Sequence, residues 1–143
     1  MSSNSDKEEN INTLKKSVEQ GDAESMYKYA IKLEKGEGVR QDKIEASRLM
    51  KMAADKGHIV AMSKYGSMLK NGNGVPVDKV EASRYLKMAA DLGNSGAMFN
   101  YASMLKKGNG VSVNNEEAAK YFKMSADNGL AVGMYKYGCI VRS

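Results

Sequence analysis

In this 143-residue chain Ser67-Met-Leu-Lys70 and Ser103-Met-Leu-Lys106 each place a serine three residues before a lysine. On a helix that spacing puts hydroxyl and amine on one face, where an amine can draw the proton from a serine nucleophile. Serine acylating enzymes that use Ser-x-x-Lys carry companion Ser-Asp-Asn and Lys-Thr-Gly sequences, and both are absent. They also need an oxyanion hole in the same pocket. The pair occurs twice because the segment around it occurs twice, so coincidence is the simpler reading. Metal chemistry has no carrier either. His58 and Cys139 are solitary, and no cluster has ligand spacing. His58 is expected in a turn, facing water. No cofactor is implied.

The elements that hold these groups follow from a phrase that returns. Gly36-Glu37-Gly38-Val39 reappears as Gly72-Asn73-Gly74-Val75 and as Gly108-Asn109-Gly110-Val111, 36 residues on each time. Lys51-Met52-Ala53-Ala54-Asp55 keeps the same step at Lys87 to Asp91 and, with Ser125 in place of the first alanine, at Lys123 to Asp127. A fixed step means one supersecondary unit copied along the chain, each copy shielding the next. In the copy from Gly57 to Leu92, small or apolar residues at Ala61, Met62, Tyr65, Gly66, Met68 and Leu69 keep helical spacing. They predict a first helix, A, over about Ile59–Lys70. The glycines after Asn71 stop it. Asp78 then caps a second helix, B, with Glu81 completing a capping box, as do Asp42/Glu45 and Asn114/Glu117. Helix B carries Ala82, Tyr85, Leu86, Met88, Ala89 and Ala90 before Gly93, and the other copies stop at Gly57 and Gly129. The fold class is all-α, a solenoid of helix–turn–helix repeats.

Packing positions follow the same step. Gly66 has Ala30, Ala102 and Gly138 as repeat mates, so small size is required there. Close approach of a neighbouring helix explains it, since a mid-helix Gly costs ~1 kcal/mol relative to Ala. The methionine rows Met26/Met62/Met98/Met134, Met52/Met88/Met124 and Met68/Met104 are expected in the core. Charged pairs on helix B, such as Glu45/Arg48 and Lys51/Asp55, read as a solvated face, each adding ~0.2–0.5 kcal/mol.

Counting by repeats divides the chain. Residues 1–7 are expected to be a disordered tail and 8–143 the solenoid. Within it a leading half-repeat covers 8–21, full repeats cover about 22–57, 58–93 and 94–129, and a terminal half-repeat covers 130–143. Eight helices result. The last carries Tyr137, Ile140 and Val141 with no helix B behind it, so self-association through that end is expected. No apolar run approaches the ~18–20 residues that cross a bilayer, and residues 1–9 lack a secretory signal's apolar segment. The single Cys139 fits a reducing, cytoplasmic setting.

Ala61-x-x-x-Tyr65-Gly66, Gly72-x-Gly74-Val75, Asp78, Ala82, Tyr85, Ala89-Ala90 and Gly93 together resemble the Sel-one-like repeat, a relative of the tetratricopeptide repeat. The resemblance covers nearly everything from residue 10 onward. It implies an α/α superhelix that serves as an adaptor between proteins, and not an enzyme. It also implies binding on a concave surface lined by helix A. One inward row is then Tyr27, Ser63, Phe99 and Tyr135, with Lys28, Lys64, Asn100 and Lys136 beside it. Near the helix ends come Glu34, Lys70, Lys106 and Arg142, with Lys35, Asn71 and Lys107 adjacent. From the second repeat onward such a groove is basic with aromatic rungs, fitting an acidic or extended peptide.

Two other functions compete. The Ser-x-x-Lys matches would make a β-lactamase-like hydrolase, against the reasons above. Basic residues among Tyr27, Phe99 and Tyr135 would suit a single nucleic-acid strand with stacked bases. The excess of 22 Lys plus Arg over 17 Asp plus Glu, +5 in all, is modest for that role.

Overall fold

The computed structural model describes residues 4–128, with side chains from residue 11 onward. Seven α-helices and no strands occur among the described residues: α1 (Asn4–Glu19), α2 (Ala23–Lys35), α3 (Lys43–Asp55), α4 (Ile59–Asn71), α5 (Lys79–Asp91), α6 (Ser95–Lys107) and α7 (Asn115–Asp127). Helices α2, α4 and α6 are the A helices of successive repeats, and α3, α5 and α7 the B helices. Among the described residues, the most extensive packing runs between helices adjacent in the chain. That is the one-dimensional arrangement of a solenoid, in which each hairpin covers the next.

The caps explain why the helices start and stop where they do. Each B helix begins at an acidic or amide side chain that accepts from the third residue on: Asp42 from the Glu45 amide, Asp78 from that of Glu81, Asn114 from that of Glu117, all at 3.0 Å. The capping box is completed only halfway. Glu45 and Glu81 reach forward to Arg48 and Arg84 instead of back to the cap. The cap amides need no such partner, because Asp42, Asp78 and Asn114 donate theirs to the carbonyls of Leu33, Leu69 and Leu105 in the preceding helix. Helix A to helix B is thus one closed hydrogen-bonded turn.

Two glycines in these turns are required by their surroundings. Gly74 and Gly110 both have φ of +79°, and a Cβ on either would stand 2.1–2.2 Å from a backbone oxygen, that of Lys43 or Lys79. The second turn therefore seats directly on the start of the previous B helix, and only a residue without a side chain permits it.

The buried face of α4 is Ala61, Met62, Tyr65, Gly66, Met68 and Leu69, the set expected from periodicity. Gly66 answers to Leu86: a Cβ there would meet Leu86 Cγ at 2.7 Å. Two methionine rows are core, with Met26, Met62, Met98, Met68 and Met104 all buried. The third is not, and that expectation is corrected. Met88 is 37 % exposed and Met52 and Met124 are half-buried. They lie on the flank of α5 and its equivalents, Met52 and Met124 touching the core from its edge, and Arg48 and Arg84 donate to the sulfurs of Met52 and Met88.

A second difference lies at the start. Residues 4–7, expected in the tail, are helical, and nothing in Ser5-Asp6-Lys7 breaks a helix. From the half-repeat, Leu14 is buried and Val18 half-buried, covering the first hairpin. The eighth helix expected over 130–143 lies outside the described residues, as do Gly129, Met134, Tyr137, Gly138, Cys139, Ile140 and Val141.

Candidate functional site

The A helices carry the residues singled out for binding, and their first turns share a device not expected from the sequence. Asp22, His58 and Asn94, at one repeat position, are the N-caps of α2, α4 and α6. Asp22 accepts from the Ser25 amide at 3.0 Å, and hydrogen bonds from the Ser25 hydroxyl and amide hold its carboxyl below the ordinary carboxylate range. His58 Nδ1 accepts from the Ala61 amide at 3.0 Å. Its Nε2 meets the Glu24 carboxylate. The His58 ring stacks on Tyr27, with centroids 4.8 Å apart and planes at 23°. The side chain is only 14 % exposed, so the expectation that it faces water is corrected. Reading Asp, His and Asn as caps 36 residues apart would have found the device.

Of the inward row, Tyr27, Ser63 and Phe99 are half-buried. Tyr27 and Phe99 also pack on the core, and Phe99 meets Phe122 edge-on at 5.4 Å. The aromatic rungs are therefore anchored rings with one side turned outward. Beside them Lys28 is exposed, and Lys64 and Asn100 are half-buried. The two lysines are occupied internally: Lys28 lies 3.9 Å from Glu24, and Lys64 lies 3.6 Å from Glu34. The other Glu34 oxygen is buried with no hydrogen-bond partner. At the helix ends Lys70 is half-buried, while Asn71, Lys106 and Lys107 are exposed. Among the described residues, Lys70, Lys106 and Lys107 have no carboxylate within ion-pair distance. By contrast, Arg48, Lys51, Arg84 and Lys87 on the B helices each pair with an acid of their own helix. Tyr135, Lys136 and Arg142 lie outside the described residues.

The serine–lysine pairs gain nothing from the fold. Ser67 and Ser103 are half-buried, and no hydrogen bond joins either to its lysine. Among the described residues, no group of three or more His, Cys, Asp or Glu side chains could hold a metal ion, and no helix is long and apolar enough to cross a membrane.

A polar ladder, also unforeseen, ties the B helices together. Tyr85 donates to Asp55 at 2.6 Å, and Tyr121 to Asp91 at 2.7 Å. Each phenol meets an A-helix tyrosine edge-on at 5.0 Å, Tyr65 or Tyr101. Burial, then the hydrogen bond to Asp55, pushes Tyr85 up to about 12, and Tyr121 is raised for the same reasons. Burial acts against the Asp55 carboxylate, but hydrogen bonds from Lys51 and Tyr85 outweigh it and leave its pKa lowered. The recurrence of Asp55/Asp91 with Tyr85/Tyr121 was visible in the sequence; the distance between them was not.

Comparison with known proteins bears on this arrangement. The model of the family described as Sel1 repeat matches residues 23–58, 59–94 and 95–130. The structure of c5321, described as a protective antigen present in uropathogenic Escherichia coli strains and displaying an SLR fold, is 31% identical with a TM-score of 0.83. The match covers 86% of this chain but 26% of that one, so the chain spans about a quarter of that protein. A Sel1 repeat protein from Oxalobacter formigenes is 25% identical with a TM-score of 0.83, covering 90% of this chain and 97% of that one. Helicobacter pylori cysteine rich protein B is 18% identical with a TM-score of 0.68, over 87% and 94% of the two chains, a likeness of fold alone. No curated protein matches the sequence.

Proposed function

The chain belongs to the Sel1 repeat family, and from that premise we propose that it is a non-enzymatic adaptor that holds an acidic, extended segment of a partner protein on its helix A surface. Sel1 repeat proteins are generally protein-interaction scaffolds and typically lack catalytic activity. What supports the finer reading is a contrast in charge. Arg48, Lys51, Arg84 and Lys87 along the B helices are each paired with an acid of their own helix, leaving only Lys43 and Lys79 at the helix starts unpaired in those two helices, whereas Lys70, Lys106 and Lys107 of the A helices stand without a described carboxylate.

The mechanism is passive. The hairpin packing fixes Lys70 and Lys106 one repeat apart, and an extended chain advances about 3.3 Å per residue. Carboxylates a few residues apart on the partner then meet successive lysines, while the half-buried faces of Tyr27 and Phe99 take apolar stems. Lys28 and Lys64, already paired with Glu24 and Glu34, contribute less.

Affinity capture from a lysate, with the wild type beside Lys70→Glu/Lys106→Glu, tests this. Proteins retained by the wild type and lost from the double variant, at unchanged helicity, support the basic surface. An identical set of captured proteins removes it.

A further inference from the structure

Among the positions where the first repeat departs from the other two, one pair changes the packing. Where repeats two and three have Ser67-Met68 and Ser103-Met104, the first has Ile31-Lys32. Met68 and Met104 are buried, and Ser67 and Ser103 lie on the half-buried flank beside them. The apolar residue has been moved out of the packing position onto the flank, and a cation stands where the core methionine would be. Both Ile31 and Lys32 are half-buried.

They line a trough between α1 and α2. Its main part encloses ≈ 400 Å³, with Leu14, Tyr27 and Ile31 as apolar lining and Lys28 and Lys32 beside them. It adjoins a recess of ≈ 220 Å³ at Ile11 and Gly38. Glu37 borders both parts. Tyr27 is held in place by its stack on His58, whose ring is fixed at both nitrogens by the Ala61 amide and Glu24. Such a wall is pre-organised, which lowers the ordering cost of binding.

We infer that this trough is an anchor subsite for a bulky aliphatic side chain of the partner segment, with a neighbouring carboxylate held chiefly by Lys32, since Lys28 beside it already pairs with Glu24; the inference rests on the acidic-peptide reading of the helix A surface. Charge complementarity selects the occupant. The two lysines, four residues apart, sit on one face of α2. Glu37 borders both parts and repels a carboxylate beside it, which favours an acidic flank running away from it toward Lys70 and Lys106. The apolar side chain fixes the register of the ligand, and the lysines of later repeats read its charge.

The test uses two fluorescein-labelled dodecapeptides of alternating Asp and Gly, one with a Leu and one with a Ser near its N-terminus, titrated by fluorescence anisotropy. The variant is Ile31→Ser/Lys32→Met, which gives the first repeat the pattern of the other two and keeps the fold. Wild type is expected to bind the Leu peptide about tenfold more tightly than the Ser peptide, from burial of one aliphatic side chain. The variant is expected to lose that preference while still binding both. An unchanged preference in the variant, or none in wild type, overturns the subsite alone. No binding of either peptide overturns the acidic-peptide reading and the subsite with it. Self-association by wild type that the variant lacks, seen by light scattering, assigns the trough to a second copy and also overturns the proposal.

Discussion

The hydroxyl of Tyr85 donates a 2.6 Å hydrogen bond to the carboxylate of Asp55, thirty residues earlier and one repeat back. Tyr85 is 2 % exposed, so the bond lies at the edge of the core, and Lys51 neutralises the same carboxylate at 2.7 Å. A hydrogen bond to a charged group contributes about 1.5–3 kcal/mol. Tyr85→Phe and Tyr121→Phe are each expected to lower unfolding stability by roughly that amount in urea titrations.

The same bond sets an alkaline limit. The folded-state pKa of Tyr85 lies at about 12, above its ordinary 10.0. The contribution is whole below pH 10 and is lost as pH rises from 10 toward 12, because only the unfolded chain gives up the proton there. Wild type should lose stability faster than Tyr85→Phe between those values. Asp55 acts in the opposite sense: its lowered pKa gives a contribution present above its ordinary 3.8 and lost as pH falls below it.

Gly74 and Gly38 occupy one repeat position but differ in what they face. A Cβ on Gly74 meets the Lys43 backbone oxygen at 2.1 Å, whereas on Gly38 it meets the tip of the Ile11 side chain at 2.7 Å. Both have positive φ, which alone costs about 1–2 kcal/mol for a residue with a Cβ. Gly74→Ala should therefore lower the denaturation midpoint clearly more than Gly38→Ala, since a side chain can rotate away and a backbone cannot.

Gly66 and Leu86 form a matched pair. Gly66→Ala gains ~1 kcal/mol of helix propensity but drives a methyl to 2.7 Å from Leu86 Cγ, in a fully buried site. Overpacking costs about 1–3 kcal/mol, so the substitution is expected to be net destabilising. Adding Leu86→Met reproduces the Ala30/Met50 pair of the first repeat. A double-mutant cycle should show the two changes recovering stability together.

His58 caps α4 through Nδ1. His58→Ala should cost about 0.5–2 kcal/mol of stability beyond His58→Asn, because asparagine, which caps α6 from Asn94, supplies the acceptor again. Thermal melts of the two variants at neutral pH measure the difference.

The hairpins, their period and the buried face of α4 were legible because burial in a repeat leaves the same residue types at the same step. What sequence missed lay between repeats. Tyr85 with Asp55, Gly66 with Leu86 and Gly74 with the Lys43 carbonyl are long-range distances, and periodicity carries no information on which neighbour an atom meets. Met88 misled for a related reason: a methionine one turn after an arginine can serve as its stem cover, and apolar type alone does not distinguish that from core. The capping box misled because Glu81 had two partners in reach, and Arg84 offered a charge. At the candidate site the lysine rows were legible, but their occupancy by Glu24 and Glu34 was not. The exchange of Ser-Met for Ile-Lys at 31–32 was readable as a break in the pattern, and it gained meaning only with the trough beside it.

The most direct measurement of the adaptor claim is binding of one fluorescein-labelled acidic peptide to two charge-reversed proteins. Lys70→Glu/Lys106→Glu alters the helix A surface; Lys51→Glu/Lys87→Glu alters the B helices by the same net charge. Exposed pairs contribute about 0.2–1 kcal/mol each, so the first should weaken binding at least about tenfold once repulsion is added, while the second leaves it within about twofold. Equal weakening by both, or none by either, would contradict a binding surface on helix A.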